Sequence, residues 1–221
     1  MFKRTKSIIA MSVICATPKL YAQEAGRIQA GQFDLIPSFT SSMAYDDNVA
    51  YARDDDPKIY SWRATLSPEL IAATEVDGNP VQVGYRLERG VYFSSDNDDY
   101  TDHFVEASGD FELNSRHRVN AVAQYEDGHE ERGTGFSLGL GTAITTPDRY
   151  KSTYFGGEYM YGAATSDGLL TLKANRETLD YDRSEQAYLI RDRATNKVGA
   201  ELGYRIGSAT TAVLDVTQTY V

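Results

Sequence analysis

Apolar and polar residues alternate along much of this chain, most regularly between residues 59 and 93. In the first half of this segment the even-numbered side chains are mostly apolar, whereas odd-numbered ones such as Arg63 and Glu69 are polar. A period of two residues is typical of a β-strand with two different faces. Residues 75–80 are rich in turn formers and the alternation resumes at Val81, so the segment is predicted to form a β-hairpin.

The same pattern predicts nine strands in the whole chain. Besides the hairpin, the alternating segments are residues 32–45, 103–113, 118–126, 150–162, 170–177, 197–206 and 212–216. The connections between them are alternately long and short, which predicts an up-and-down meander with all short turns at one end. Outer-membrane barrels place their short turns in the periplasm, so the N-terminus is expected on that side.

Two details of the pattern lead to specific expectations. Pro37 cannot donate a backbone hydrogen bond, and it predicts an interruption of the hydrogen-bond ladder in the first strand. Residues 136–140 alternate briefly inside the long connection after the fifth strand. They could therefore extend a strand beyond the sheet.

Alternation alone does not say which face points inward, and a soluble barrel with its apolar face inside would show the same pattern. The membrane alternative is favoured because the polar face carries charges of both signs in nearly every strand. Aromatic residues such as Trp62 and Tyr204 lie on the apolar face, as in the interfacial girdles of membrane barrels. Arg89 is a charged exception on the apolar face, near the expected outer boundary, where a charge costs little.

The predicted fold class is all-β, an antiparallel up-and-down transmembrane β-barrel. Single-chain bacterial barrels usually have an even number of strands, yet the ninth predicted strand ends at Val221 without a return strand. The chain is therefore expected to be an N-terminal fragment of about nine strands.

Residues 1–22 have the organisation of a secretory signal peptide, with basic Lys3 and Arg4, a short apolar run and Ala22 at the expected cleavage site. The predicted organisation is thus a signal peptide at 1–22 and a barrel at 23–221. Cleavage would remove Cys15, the one cysteine, which excludes a disulfide scaffold and a thiol nucleophile. It would also remove four basic residues and no acidic one, taking the formal charge from −10 to −14. Such an acidic protein is a poor candidate for binding nucleic acid.

Charged residues on the polar face are candidate lumen-facing binding residues. They could grade a pore for charged or hydroxylated substrates. They could equally pair with neighbours on the next strand and merely fill the barrel. The candidates are Arg63, Glu69, Arg86, Glu88, Glu106, Asp110, Arg118, Glu126, Lys173, Glu201 and Arg205.

Other chemistry is less strongly indicated. Asp96, Asp98 and Asp99 are weak calcium candidates, because clustered carboxylates supply the oxygen ligands that this ion prefers, although EF-hand spacing is absent and an acidic loop can simply be solvated. His103, His117 and His129 are scattered and show no metal triad, so no cofactor is predicted. A histidine beside a carboxylate could support a hydrolase, but no serine is paired with them and no catalytic residue is assigned.

Two regions resemble a known family of outer-membrane β-barrels. The first is the run 33–38 followed by Tyr45-Asp46-Asp47-Asn48, and the second is the segment 125–134 with Pro147-Asp148 before the sixth strand. The family is the beta-barrel porin 2-like one, found with genes for exopolysaccharide and capsule synthesis. Its members are about twice this length, which agrees with an incomplete barrel.

The resemblance implies a porin-like protein of a Gram-negative outer membrane that takes part, without catalysis, in export or assembly of an exopolysaccharide or capsule. The implied partners are outer-membrane lipids and lipopolysaccharide, and a polysaccharide with its export machinery. Two alternatives stay open: an outer-membrane enzyme acting on lipid or glycan, and a structural or adhesive barrel.

Overall fold

The computed structural model describes residues 26–163, 165–182 and 190–221, and the predicted signal peptide lies outside them. The described chain forms one antiparallel sheet of ten strands that follow one another in sequence order. The strands are β1 (Ile28–Ala30), β2 (Phe33–Asp46), β3 (Ser61–Val76), β4 (Asn79–Tyr92), β5 (Tyr100–Asn114), β6 (His117–Glu130), β7 (Asp148–Tyr161), β8 (Gly168–Tyr181), β9 (Arg193–Arg205) and β10 (Thr211–Tyr220). Within the described residues β10 pairs only with β9 and β1 only with β2, so the sheet is open.

The nine predicted strands correspond to β2–β10, and the predicted class, an antiparallel up-and-down sheet of the barrel type, is confirmed. The short strand β1 was not predicted, because three residues are too few to show an alternation. β6 and β8 continue past their predicted ends to Glu130 and Tyr181. The charged residues at these ends had the composition of a loop.

Connection lengths alternate as predicted. Residues 77–78 and 115–116 form tight turns at one end of the sheet, whereas 47–60, 93–99 and 131–147 are long connections at the other. At the first turn Asp77 and Gly78 both have positive φ, 52° and 78°, the backbone that a two-residue hairpin turn needs. The expected strand extension at 136–140 is wrong, because this region begins with a 3-10 helix, Gly135–Ser137.

The hydrogen-bond ladder is not interrupted at Pro37, contrary to the prediction. Pro37 pairs with Leu70 in a continuous register between β2 and β3. β1 reaches only as far as Leu35, so the other edge of β2 is unpaired at Pro37 and a missing donor costs nothing there. The gap lies instead at Ser67 and Pro68, which have no partner on β4, although the register on either side of them is the same.

The two faces of the sheet differ in what covers them. Large apolar side chains on one face are exposed, for example Phe39 by 64%, Phe155 by 57% and Val216 by 62%. On the polar face, by contrast, Tyr92 and Tyr100 are buried against Val49 of the first long connection. The long connections therefore fold over the polar face, which makes it the inner one. Among the described residues, none belongs to a helix with the length and apolarity to cross a membrane.

Candidate functional site

All of the candidate lumen residues lie on the polar face. The register places Glu69, Arg86, Phe104 and Glu126 opposite one another in a row across β3, β4, β5 and β6. Since side chains alternate between faces, every second residue along these strands shares that side of the sheet. The other candidates follow the same parity on their strands: Arg63, Glu88, Glu106, Asp110, Arg118, Lys173, Glu201 and Arg205.

A pocket of about 310 Å³ lies in the middle of this face. Four of the predicted residues line it, namely Glu69, Arg86, Glu106 and Glu126, and they come from four neighbouring strands. Two side-chain amides, an aromatic ring, an aliphatic side chain and a glycine complete the polar-face lining: Gln82, Gln124, Phe104, Ile71 and Gly84. Carboxylates, amides and a guanidinium around a ring are groups that can bind hydroxylated ligands by many hydrogen bonds.

Arg86 lies at the centre of the pocket and is held by its neighbours. Its guanidinium carbon lies 3.7 Å from the centroid of the Phe104 ring, in the geometry of a cation–π contact. Its Nη1 donates to Glu88 Oε2 at 3.0 Å. Arg86 therefore turns away from Glu69, its direct neighbour in the register, and makes no ion pair with it.

The three pocket glutamates accept hydrogen bonds from neutral donors. Glu69 accepts from the Ser38 hydroxyl at 2.9 Å, and Glu126 accepts from the Tyr150 hydroxyl at 2.7 Å. Glu106 accepts from the Gln124 amide at 2.7 Å. An ionised carboxylate has about four acceptor sites, so each of these groups keeps capacity for a ligand hydroxyl or amine.

The remaining candidates differ in whether they contact a side chain on the neighbouring strand. Lys173 donates to Glu201 at 2.8 Å, and Asn120 donates to Asp110. Arg118 lies opposite Glu112, and neither Arg118 nor Arg205 forms an ion pair within the described residues. The pairing expected of a filled barrel is thus present between Lys173 and Glu201 and between Asn120 and Asp110 but not at the two arginines nearest the short turns, and the pocket glutamates keep open acceptor sites.

At the end of the sheet with long connections, two of them meet above the polar face. We call residues 47–60 and 131–147 together the loop cover. Arg63 of β3 donates to Glu131 at 2.8 Å, and the Tyr51 hydroxyl donates to the same carboxylate at 3.0 Å. Burial and the neighbouring negative charge of Glu131 raise the pKa of the Tyr51 phenol to about 12. Arg63, the polar-face arginine nearest the long-loop end of β3, is therefore bound to the loop cover.

The calcium candidates lie beside this cover, and two of their carboxylates are already held by arginines. Arg132 forms a buried ion pair with Asp98, in which its Nε donates at 2.6 Å. Arg89, predicted as a charged residue on the apolar face, donates to Asp99 at 2.9 Å. No group of three or more histidine, cysteine or acidic side chains placed for a metal ion is found among the described residues.

Each of the three histidines has a different partner. His103 hydrogen-bonds to Tyr85 at 2.8 Å and His117 to Tyr159 at 2.6 Å. His129 hydrogen-bonds to Asp102 at 2.8 Å and stacks on Tyr100, with 3.9 Å between ring centroids. The His129 side chain is 9% exposed and that of Asp102 is 8% exposed. A buried, hydrogen-bonded and stacked pair of this kind can stabilise the packing at the long-loop end of the sheet.

Sequence reasoning missed several residues of these two regions. Phe104 could have been found from the sequence. The even-numbered residues around it, from Asp102 to Asp110, are otherwise all polar. Glu131 and Arg132 gave no such signal. They lie in a run of charged and glycine residues, a composition normally typical of a solvated loop.

Comparisons with known proteins agree with the fold. A family model described as Putative beta-barrel porin 2 matches residues 22–217, which is most of the chain. Neither the search of curated proteins nor the search of solved structures gave a match.

Proposed function

The chain belongs to the Putative beta-barrel porin 2 family, and we propose that it is an outer-membrane barrel protein that takes part in exporting or assembling a surface polysaccharide. Its polar face would bind and guide the glycan by hydrogen bonds, without covalent chemistry. Its exposed apolar face would contact outer-membrane lipids and lipopolysaccharide. The host would be a Gram-negative bacterium that exports the chain by means of the signal peptide at 1–22.

The observation that carries this proposal is the pocket around Arg86 and Phe104. A glycan offers many hydroxyl groups and few charges, and it is bound best by planar polar groups beside an aromatic ring. The pocket combines these groups on the inner face of the sheet, with acceptors on Glu69, Glu106 and Glu126 that remain open.

The proposal is tested by deleting the gene in its own bacterium and measuring where the surface polysaccharide accumulates. We expect it to decrease at the cell surface and to increase in the periplasm. A plasmid copy should restore export, whereas a copy with both Phe104→Ala and Glu106→Gln should restore it only partly. Glu201→Gln is the matched control, because Glu201 is a polar-face acid outside the pocket. Unchanged amount and location of the polysaccharide after deletion would contradict the proposal.

The enzyme alternative makes a different prediction. If the protein hydrolysed lipid or glycan, one of the three histidines would be expected to act as the base, and His129 beside Asp102 would be the first candidate. Single replacement of His103, His117 and His129 by glutamine should leave a passive barrel active. Loss of polysaccharide export in one of these variants, with the protein still folded, would favour the enzyme.

A further inference from the structure

The most buried part of the described molecule is the loop cover and its contacts, and its position above the polar face suggests a second role. Val49 and Ala50 are 3% and 0% exposed, although both lie in a connection between strands. Val49 packs against the inner-face residues Tyr92 and Tyr100, which are 2% and 5% exposed. Segment 47–60 therefore lies across the mouth of the inner face at its long-loop end.

Segment 131–147 is interlocked with it. A side chain at Gly141 would place its Cβ 1.7 Å from the carbonyl oxygen of Ala50, and one at Gly133 would place it 2.4 Å from the same atom. Gly133 also has φ of +75°, a conformation that favours glycine. The two segments can approach this closely only because both positions lack side chains.

Polar contacts hold the interlocked segments to the rest of the sheet end. Glu131 accepts from Arg63 of β3 and from Tyr51 of the other segment. Arg132 binds Asp98 of the connection between β4 and β5, and its Nη1 donates to the Ile144 carbonyl at 3.1 Å. None of the described buried side-chain nitrogen or oxygen atoms lacks a hydrogen-bond partner. A fully satisfied buried network of this kind is rigid.

We propose that the loop cover is a permanent constriction at the outer mouth of the polar passage, and that it sets the largest solute able to reach the inner face from outside. If the connections were only solvated, the width of the opening at the long-loop end would be set by the strands alone. Here the connections are packed, ion-paired and seated on the inner-face side chains Tyr92 and Tyr100. The inference does not depend on the nature of the cargo.

The test uses thiol labelling of the full chain on intact cells, in a Cys15→Ser background. Ser108→Cys places a thiol on the inner face of β5, within the strand-lined part, and Asn97→Cys places one on an exposed connection. Each is treated with a small methanethiosulfonate and with a maleimide that carries a long polyethylene glycol chain. We expect Asn97→Cys to react with both reagents and Ser108→Cys to react readily only with the small one.

The constriction is then loosened with Glu131→Ala and Arg132→Ala together. We expect the rate at which the large reagent labels Ser108→Cys to rise by about tenfold or more, because the open form of the cover becomes more populated. Arg176→Ala is the control, since Arg176 is exposed on the apolar face and should change nothing. Tyr51→Phe is a milder variant that removes only one hydroxyl, and it should give a smaller rise in the same direction if the double variant fails to fold.

Two results would overturn the proposal. One is equal labelling of Ser108→Cys and Asn97→Cys by the large reagent when the cover is intact. The other is a variant that folds, as shown by its heat-dependent migration on gels, but labels no faster than the unaltered protein. Because labelling needs no polysaccharide, a failure of the export proposal would leave this result unchanged, and the two can be told apart.

Discussion

The strand-lined part of the sheet and its long-loop end differ in which side chains they expose. The strands expose apolar side chains, whereas the long-loop end buries charged ones. Along the strands, apolar side chains such as Phe155 and Leu202 are 57% and 49% exposed. At the long-loop end, charged side chains such as Arg132 and Asp148 are 6% and 1% exposed. The same chain therefore exposes apolar side chains along its strands and buries charged side chains at its long-loop end.

The difference is explained by the surroundings of each region, which are lipid for the strands and water for the connections. A bilayer lets apolar side chains remain outside at no cost, but it requires every backbone group to be paired, which the strand ladder provides. Connections in water have no continuous ladder, so besides the hydrogen bonds of their backbone turns they depend on side-chain contacts. Here those contacts are ion pairs and hydrogen bonds, such as Arg63 with Glu131 and Arg191 with Glu130.

The largest expected effect is the loss of a buried charge pair at the loop end. Arg132→Ala leaves Asp98 buried without its cation, which should lower the free energy of unfolding by about 3–5 kcal/mol. The measurement is denaturant unfolding of the protein folded into lipid vesicles. Arg176→Ala should cost almost nothing, and similar losses for the two variants would show that the loop end contributes no buried network.

A charge placed on the apolar face should have the next largest effect. Ala107→Arg puts a cation on the membrane side of β5, near the middle of the strand, and should cost about 2–4 kcal/mol in vesicles. Ser108→Arg, one residue further along, puts the same cation on the polar face and should be tolerated. Equal costs for the two neighbours would mean that the faces have been assigned wrongly.

The close approach of the two cover segments should respond to the addition of one methyl group. Gly141→Ala places a carbon 1.7 Å from the Ala50 carbonyl oxygen, and we expect the free energy of unfolding to fall by about 1–3 kcal/mol together with faster amide exchange in 131–147. Gly207→Ala is the control, because no atom lies within 4 Å of its Cβ position. Unchanged exchange in Gly141→Ala would show that the segments are not interlocked in solution.

The smallest effect is expected at high pH. The folded protein raises the pKa of Tyr51 to about 12, above the usual value of about 10. Its phenol therefore stays protonated longer in the folded state, and the stability that it contributes is present below pH 10 and is lost as the pH rises to about 12. The difference in ultraviolet absorbance between wild type and Tyr51→Phe should show this late titration. A component near pH 10 would contradict it.

Much of the strand-lined part could be predicted from the sequence. The side chains of a strand alternate strictly, so the parity of Arg63, Arg86 and Glu106 already assigned them to one face, and the structure agrees. The same parity placed Arg89 on the apolar face, and its contact with Asp99 explains how a charge is accommodated there. What parity could not give was the orientation of each side chain, such as the turn of Arg86 toward Phe104 and Glu88.

Almost nothing of the loop end could be predicted. Asp98 was proposed as a calcium candidate and Arg132 was not singled out at all, because residues 34 positions apart leave no periodic signal. The extended end of β6 was missed for the same reason, since Glu130 accepts hydrogen bonds from Tyr181 at the end of β8 and from Arg191 in the connection that follows.

The sequence by itself determined the nine longer strands, their order and their two faces, because a period of two residues and the length of each connection are local properties of the chain. Only the tertiary structure decided which connections meet, where Glu131 and Arg132 find their partners, and how the mouth of the inner face is covered. These contacts join residues far apart in the chain, and their strength comes from burial, which exists only after the chain has folded.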